Sequence, residues 1–333
     1  MRHISIETIE GKGVFAITKA RADVNTITRE MGFRPLVLGS TSPIGFYRVL
    51  RRHYDILSLR WKLRRSDRIF FQFPWIHNSK PAFYRNLLRH NGQMQCVIHD
   101  LDSLRYQDDR NRGELEYLSQ FSSIIAHTPA MKQFLVEHGI EADKIKLLYT
   151  FPYLTTDPIH RLNPADKPTI IFAGNLLKSP FVSHLKEIAD DDFRFHLYGN
   201  GAEQFEASTQ VVYKGMFQPD HPGCLEGNWG LVWDGPELNT CSGLGGGDYL
   251  RYNSSHKISL YLSLGIPVIL WSQSSLKEYV GEHNLGITVD SLYDLKEKIA
   301  SLSQEQIASM QESAQKYAPL LRSGEILKKL IEV

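Results

Sequence analysis

At 333 residues the chain exceeds one ordinary α/β domain and suits two, each large enough to bury its own core. Hydrophobic residues at 42% and charged residues at 23% exclude a fibrous or disordered chain, and a formal net charge of +1 argues against a protein that coats nucleic acid. Cys96, Cys224 and Cys241 are too widely spaced for a disulfide framework or a Cys-x-x-Cys zinc site, which fits a reducing compartment.

The chain opens without the apolar stretch of a signal peptide, and no apolar run reaches membrane-spanning length, so the expected location is cytoplasmic. Short β-branched or aromatic runs then alternate with longer amphipathic stretches, the pattern of parallel sheets covered by helices. In the first half, strands are expected at 3–6, 35–38, 68–73, 95–99, 123–127 and 146–148, with helices over 14–31, 46–63, 81–90 and 129–138. Prolines and polar residues over 151–158 and 163–168 read as a linker. The pattern restarts at 169–173 and continues through 193–198, 210–213, 230–233 and 267–271, before a last helix near 323–331. The expected class is α/β, with two doubly wound, Rossmann-like parallel-sheet domains at 1–155 and 166–318 and a cleft between them. By fold-level analogy the tail at 319–333 packs back on the first domain.

The densest chemical signal starts at Gly230-Leu231-Val232-Trp233-Asp234-Gly235 and runs through a glycine-rich loop, Gly243, Gly245, Gly246 and Gly247, to Tyr249, Arg251, Asn253, Ser254, Ser255, His256 and Lys257. Ser254 or Ser255 is placed to cap a helix that runs to Leu264 and stops at Gly265-Ile266-Pro267. A helix N-terminus offers amide donors and partial positive charge, so a diphosphate is favoured there, with Lys257 and Arg251 adding full charges. The alternative is a surface loop before an ordinary capped helix. A second candidate is Gly174, Asn175 and Lys178, at the first strand-to-helix turn of the second domain, where α/β folds bind ligands; a plain tight turn with a solvated lysine is the competing reading.

In the first domain the strand at 95–99 delivers His99 and Asp100 to its C-terminal edge, with Asp102 close behind. Asp100 is the leading candidate for a base that strips a hydroxyl proton, and Asp102 the next. An Asp-x-Asp pair is also a metal signature, and the two carboxylates equally suit helix capping. No metal is expected, because a helix terminus and cations are available to an anionic leaving group, and no histidine pair has ligand spacing. His127, on a strand, reads as a core histidine. Glu10-Gly11-Lys12-Gly13 is an incomplete dinucleotide fingerprint, which weighs against a nicotinamide oxidoreductase. Over 46–68, eight Lys or Arg stand against Asp55 and Asp67, interleaved with Tyr47, Tyr54 and Trp61. That span is either a helix that docks on anionic lipid at the inner membrane or a solvated helix face.

The stretch from Gly230 through Thr240-Cys241-Ser242-Gly243, Gly247-Asp248-Tyr249-Leu250, Asn253, His256-Lys257 and Pro267-Val268 resembles the bacterial β-1,6-galactofuranosyltransferases of O-antigen assembly. It is more distantly similar to the glucosyltransferases that extend sugars on serine-rich adhesins. Further matching patches are Ile98-His99-Asp100-Leu101-Asp102, Phe172-Ala173-Gly174-Asn175-Leu176, and Lys19-Ala20-Arg21 with Asp23. The resemblance implies a GT-B fold, a UDP-sugar donor held by the second domain, an acceptor on the side of the first, and no obligatory metal. Its galactofuranosyl branch implies UDP-galactofuranose, inversion, and a glycan acceptor on a lipid carrier. Tyr249, Asn253, His256 and Lys257 fall on the donor-binding pattern, whereas Ser255 stands where relatives have Pro. A UDP-glucose-dependent transferase and a non-catalytic glycan-binding homologue are the alternatives, and self-association into a homo-oligomer stays open.

Overall fold

Runs such as Arg-Ile-Phe-Phe-Gln-Phe and Thr-Ile-Ile-Phe-Ala are apolar on successive residues, so both of their faces must be covered, and that condition selects parallel strands between helices. A computed structural model describes all residues except 10–15, 78–79, 91–92, 107–112, 202–207, 244–245 and 333. It divides into two compact units, Met1–Leu148 with Ile326–Val333, and Tyr149–Glu325. Residues 151–158 and 163–168, read from the sequence as linker, therefore cluster with the second unit.

The first unit runs β1 (His3–Thr8), α1 (Ala16–Glu30), β2 (Arg34–Leu38), α2 (Gly45–Lys62), β3 (Arg68–Phe73), α3 (Lys80–Leu87), β4 (Gln93–Ile98), α4 (Asp102–Tyr106), α5 (Gly113–Ser119), β5 (Ser123–Ala126), α6 (Pro129–Glu137) and β6 (Ile145–Leu147). Its strands form one parallel sheet in the order β2-β1-β3-β4-β5-β6. Phe70, Phe71, Phe73, Phe83 and Tyr84 are buried across β3 and α3. The end of the chain lies on this sheet: Gln95 Nε2 donates to the Leu330 carbonyl at 2.9 Å, and the Glu332 amide donates back to Gln95 Oε1 at 3.0 Å.

The second unit contains β7 (Thr169–Ala173), β8 (Arg194–Tyr198), β9 (Val211–Gly215), β10 (Trp229–Val232), α7 (His256–Ser263), β11 (Val268–Trp271), α8 (Lys277–Glu282), β12 (Gly286–Val289), α9 (Leu295–Ala300) and α10 (Gln304–Arg322), and α11 (Glu325–Leu330) leads out of it. Its parallel sheet has the order β12-β11-β10-β7-β8-β9, which reverses direction between β7 and β10. Ligands of open α/β sheets bind beyond the carboxyl ends of the strands at such a reversal. α7 connects two parallel neighbours, β10 and β11, so it runs back along the sheet and starts at that same carboxyl edge.

Candidate functional site

Gly174 and Asn175 follow β7, and Asp234 follows β10 two residues after Val232, so both loops leave the sheet at its reversal point. α7 is held over this point by Tyr261, which is fully buried and accepts a hydrogen bond from the Ala173 amide at 2.9 Å. Its ring lies across Gly230, where a Cβ would come within 2.2 Å of the Tyr261 Cγ. Lys257 stands one turn earlier on the same helix face, as residues four apart do. Its ammonium lies 2.5 Å from Asp234 Oδ1 and 5.2 Å from the centre of the Phe172 ring, and its Cε is 3.1 Å from where a Gly174 Cβ would begin. The sequence placed Asp234 and Lys257 in one motif and Gly174 in another, and the fold brings the three together.

The loop between β10 and α7 is folded by close backbone approach. A Cβ at Gly247 would lie 1.8 Å from the Cys241 carbonyl oxygen, and Gly246 takes φ 95°, a conformation that costs glycine little. Asp248, which sequence reasoning did not single out, organises the result. Its carboxylate accepts from the Ser242 hydroxyl at 2.7 Å, the Gly243 amide at 2.9 Å and Arg251 Nε at 3.3 Å. Burial pushes the Asp248 carboxyl up, and those three donors outweigh it and hold it below the usual range. Arg251 also lies 4.6 Å over the Trp271 ring, so its charge is already engaged. Gly245 lies outside the described residues.

Other expected donor contacts take varied places. Tyr249 is buried, and its carbonyl accepts from the Tyr252 and Asn253 amides. Among the described residues nothing donates to the buried Oδ1 of Asn253, and its carbonyl accepts from the Ser275 hydroxyl at 3.0 Å. His256 packs its ring 5.1 Å from Tyr153 and 6.2 Å from Phe151. Ser254 and Ser255 are both buried. Ser255 occupies the N-cap position in extended conformation but forms no side-chain cap bond, a correction to the serine-cap expectation. Asn175 uses its side-chain oxygen to accept from the Leu177 amide at 3.1 Å, capping a short turn that leaves Lys178 exposed.

In the first unit, His99 is nearly buried at the end of β4, and its Nε2 meets Gln72 Oε1 at 2.8 Å. Gln72 in turn donates to Asn25 Oδ1 at 2.6 Å, and buried Arg21 donates to the Gln72 and Pro74 carbonyls at 3.1 and 2.9 Å. Asp100 Oδ1 accepts from Arg105 at 2.6 Å; burial raises the carboxyl above its usual range, with Arg105 opposing. Asp102 begins α4 and accepts from Lys80 at 3.1 Å. Among the described residues, no group of three or more His, Cys, Asp or Glu is arranged to hold a metal ion. His127 is a core residue: its Nε2 contacts the Ile98 carbonyl at 2.7 Å, and burial lowers its pKa to about 4. Glu10 to Gly13 lie outside the described residues.

Two Rossmann-like units in tandem are the architecture of GT-B glycosyltransferases, and the chain is an enzyme of that class. Residues 1–148 match the glucosyltransferase 3-like N-terminal domain and residues 170–333 match the glucosyltransferase 3-like C-terminal domain, so the chain belongs to the glucosyltransferase 3-like family. It is 29% identical over 279 residues to the β-1,6-galactofuranosyltransferase WbbI of Escherichia coli K12, covering 81% of this chain and 79% of that one. It is 25% identical to glucosyltransferase 3 of Streptococcus gordonii, covering 94% and 92% respectively. Among solved structures, a sucrose-phosphate synthase from Thermosynechococcus elongatus shares the fold with a TM-score of 0.62 at 12% identity, over 98% of this chain and 96% of that one.

Proposed function

We propose that this enzyme transfers galactofuranose from UDP-galactofuranose to a hydroxyl of a glycan acceptor on a lipid carrier, with inversion and a β-1,6 linkage. The observation that carries the donor half is Lys257, in the first turn of α7, lying against Gly174 and Asp234 where the second sheet reverses. An ammonium and a helix N-terminus at that point suit a pyrophosphate. Gly174, Asn175 and Lys178 line the donor from β7, and Asp234, Gly246, Tyr249, Asn253, Ser254 and His256 from the other side. The acceptor oxygen bonds to the anomeric carbon as the bond from that carbon to UDP breaks, and UDP leaves with the electron pair. Asp100 takes the hydroxyl proton, with His99 beside it, and Lys257 and Arg251 offset the charge that develops on UDP. No metal is assigned a role, so turnover persists in a chelator. The relative WbbI supports the galactofuranosyl reading. A UDP-glucose donor is the second reading, favoured by the longer match to the streptococcal glucosyltransferase.

A thermal-shift panel of UDP, UDP-galactofuranose, UDP-galactopyranose, UDP-glucose, GDP and NAD tests the donor. Ligand at about 100 times its Kd stabilises by about 2.7 kcal/mol, a shift readily seen for UDP and its sugars. A response to GDP or NAD alone overturns the proposal, and a larger response to UDP-glucose than to UDP-galactofuranose selects the second reading. NMR of the product reads the anomer.

A further inference from the structure

An amphipathic helix on a globular unit ordinarily presents one apolar stripe, and that stripe is buried. α2 carries two. Ile56 and Leu59, with the buried Asp55, face the sheet, and Asp55 Oδ2 accepts from the Gly39 amide and from Arg51 Nε, each at 3.0 Å. On the opposite side Phe46, Leu50, Tyr54, Leu57 and Trp61 recur at intervals of three and four and so lie along one face. All five are exposed, Phe46 at 74% and Trp61 at 61%. The 18-residue helix is about 27 Å long, and its outer stripe runs nearly the whole of it. Burial of a core explains the inner stripe and leaves the outer one without a function.

Charge identifies what the outer stripe meets. Between residues 44 and 68 the acids are Asp55 and Asp67 alone, and both are buried and paired, Asp67 with Arg2 at 2.6 Å. Arg60 in the helix and Arg64 and Arg65 just after it are exposed beside the stripe. Over residues 44–68 the surface is thus apolar along its centre, cationic at its margins and free of exposed acid. Tyr54 and Trp61 have apolar rings with polar tips, the side chains that settle at a membrane–water boundary. Pairing this face with the same face of a second copy would oppose arginine to arginine with no carboxylate between them. We infer that the outer face of α2 is a docking surface for an anionic lipid bilayer, on which the helix lies in the plane of the headgroups with Phe46, Leu50 and Leu57 inserted. Among the described residues no helix is long and apolar enough to cross a membrane, so this attachment lies along the surface. It does not depend on which sugar the donor carries.

The chain supplies its own reporter. Of five tryptophans, Trp75, Trp229, Trp233 and Trp271 are at most 1% exposed, so a change in emission on binding comes from Trp61. The full chain is mixed with vesicles of phosphatidylcholine alone or with about 30% phosphatidylglycerol, followed by sedimentation and fluorescence. Sedimentation with the anionic vesicles, a blue shift of Trp61, and weakening by salt are expected. Leu50→Glu with Leu57→Glu abolishes binding while the melting temperature holds, and replacing Arg60, Arg64 and Arg65 by Gln weakens it roughly 100-fold. Absence of binding with unchanged emission in the wild-type chain overturns the inference without needing any variant. So does equal binding by the double-glutamate variant, or a lipid-free dimer that Leu50→Glu dissolves, which would assign the stripe to a second copy.

Discussion

Lys257 reaches Asp234 across the carboxyl edge of the second sheet, with 2.5 Å between ammonium and carboxylate and 18% and 32% of the two side chains exposed. A half-open ion pair of this kind contributes little to stability, a median of about 0–1 kcal/mol. Its placement above Gly174 is therefore better explained by a ligand than by folding. Lys257→Ala is expected to lower kcat/KM about 100-fold or more, the range for loss of a group that meets charge developing in the transition state, while the melting temperature changes little. Steady-state kinetics beside a thermal melt measures both. Unchanged kinetics removes Lys257 from the reaction.

The pair of Gly230 and Tyr261 has the opposite character, with stability at stake rather than chemistry. Tyr261→Phe keeps the ring and deletes the hydroxyl that satisfies the Ala173 amide, so a buried donor loses its partner at a cost of about 1–3 kcal/mol. Gly230→Ala drives a methyl to within 2.2 Å of the Tyr261 ring, which is held in the core and has no room to retreat. Overpacking of this kind costs about 1–3 kcal/mol, occasionally more. Urea unfolding of both variants should show the loss. Because each displaces the helix that carries Lys257, UDP affinity should fall as well. A Gly230→Ala protein as stable as wild type would mean that α7 is less tightly seated than its contacts indicate.

Local chemistry carried much of this into the sequence. The β3 and β7 runs, doubly apolar and β-rich, have the bounds expected of them, and the glycines after β7 and β10 lie at the carboxyl edge of the second sheet, as their place after apolar runs implied. β12 lay outside the expectations because Gly-Ile-Thr-Val breaks its two apolar residues with Thr and opens on Gly, whereas the equally short β11, Val-Ile-Leu-Trp, is apolar throughout. Nor was the hold of Asp248 on Arg251 legible, since it depends on a loop that folds back only when Gly247 meets the Cys241 carbonyl. The same limit applies to α2. Its charge and aromatics were visible as composition, but which of its two apolar stripes the sheet covers is a fact of packing.

Asp100 and Arg105 offer a test in pH. Burial raises the Asp100 carboxyl, and Arg105, at 2.6 Å, opposes that rise by favouring the charged form. A general base must be deprotonated to act, so activity should fall as pH drops through the Asp100 pKa. Removing the guanidinium with Arg105→Gln takes away the lowering influence and raises that pKa further. The acid limb of the kcat/KM profile should then move to higher pH, with the rate on the alkaline plateau largely retained. Asp100→Asn should lose about 10²–10⁴-fold at every pH, the range attributed to general acid–base catalysis. Profiles of wild type and the two variants, measured over the pH range in which each stays folded, separate the roles. If Arg105→Gln instead depresses the plateau and leaves the limb in place, Arg105 is acting on substrate and the basic group lies elsewhere.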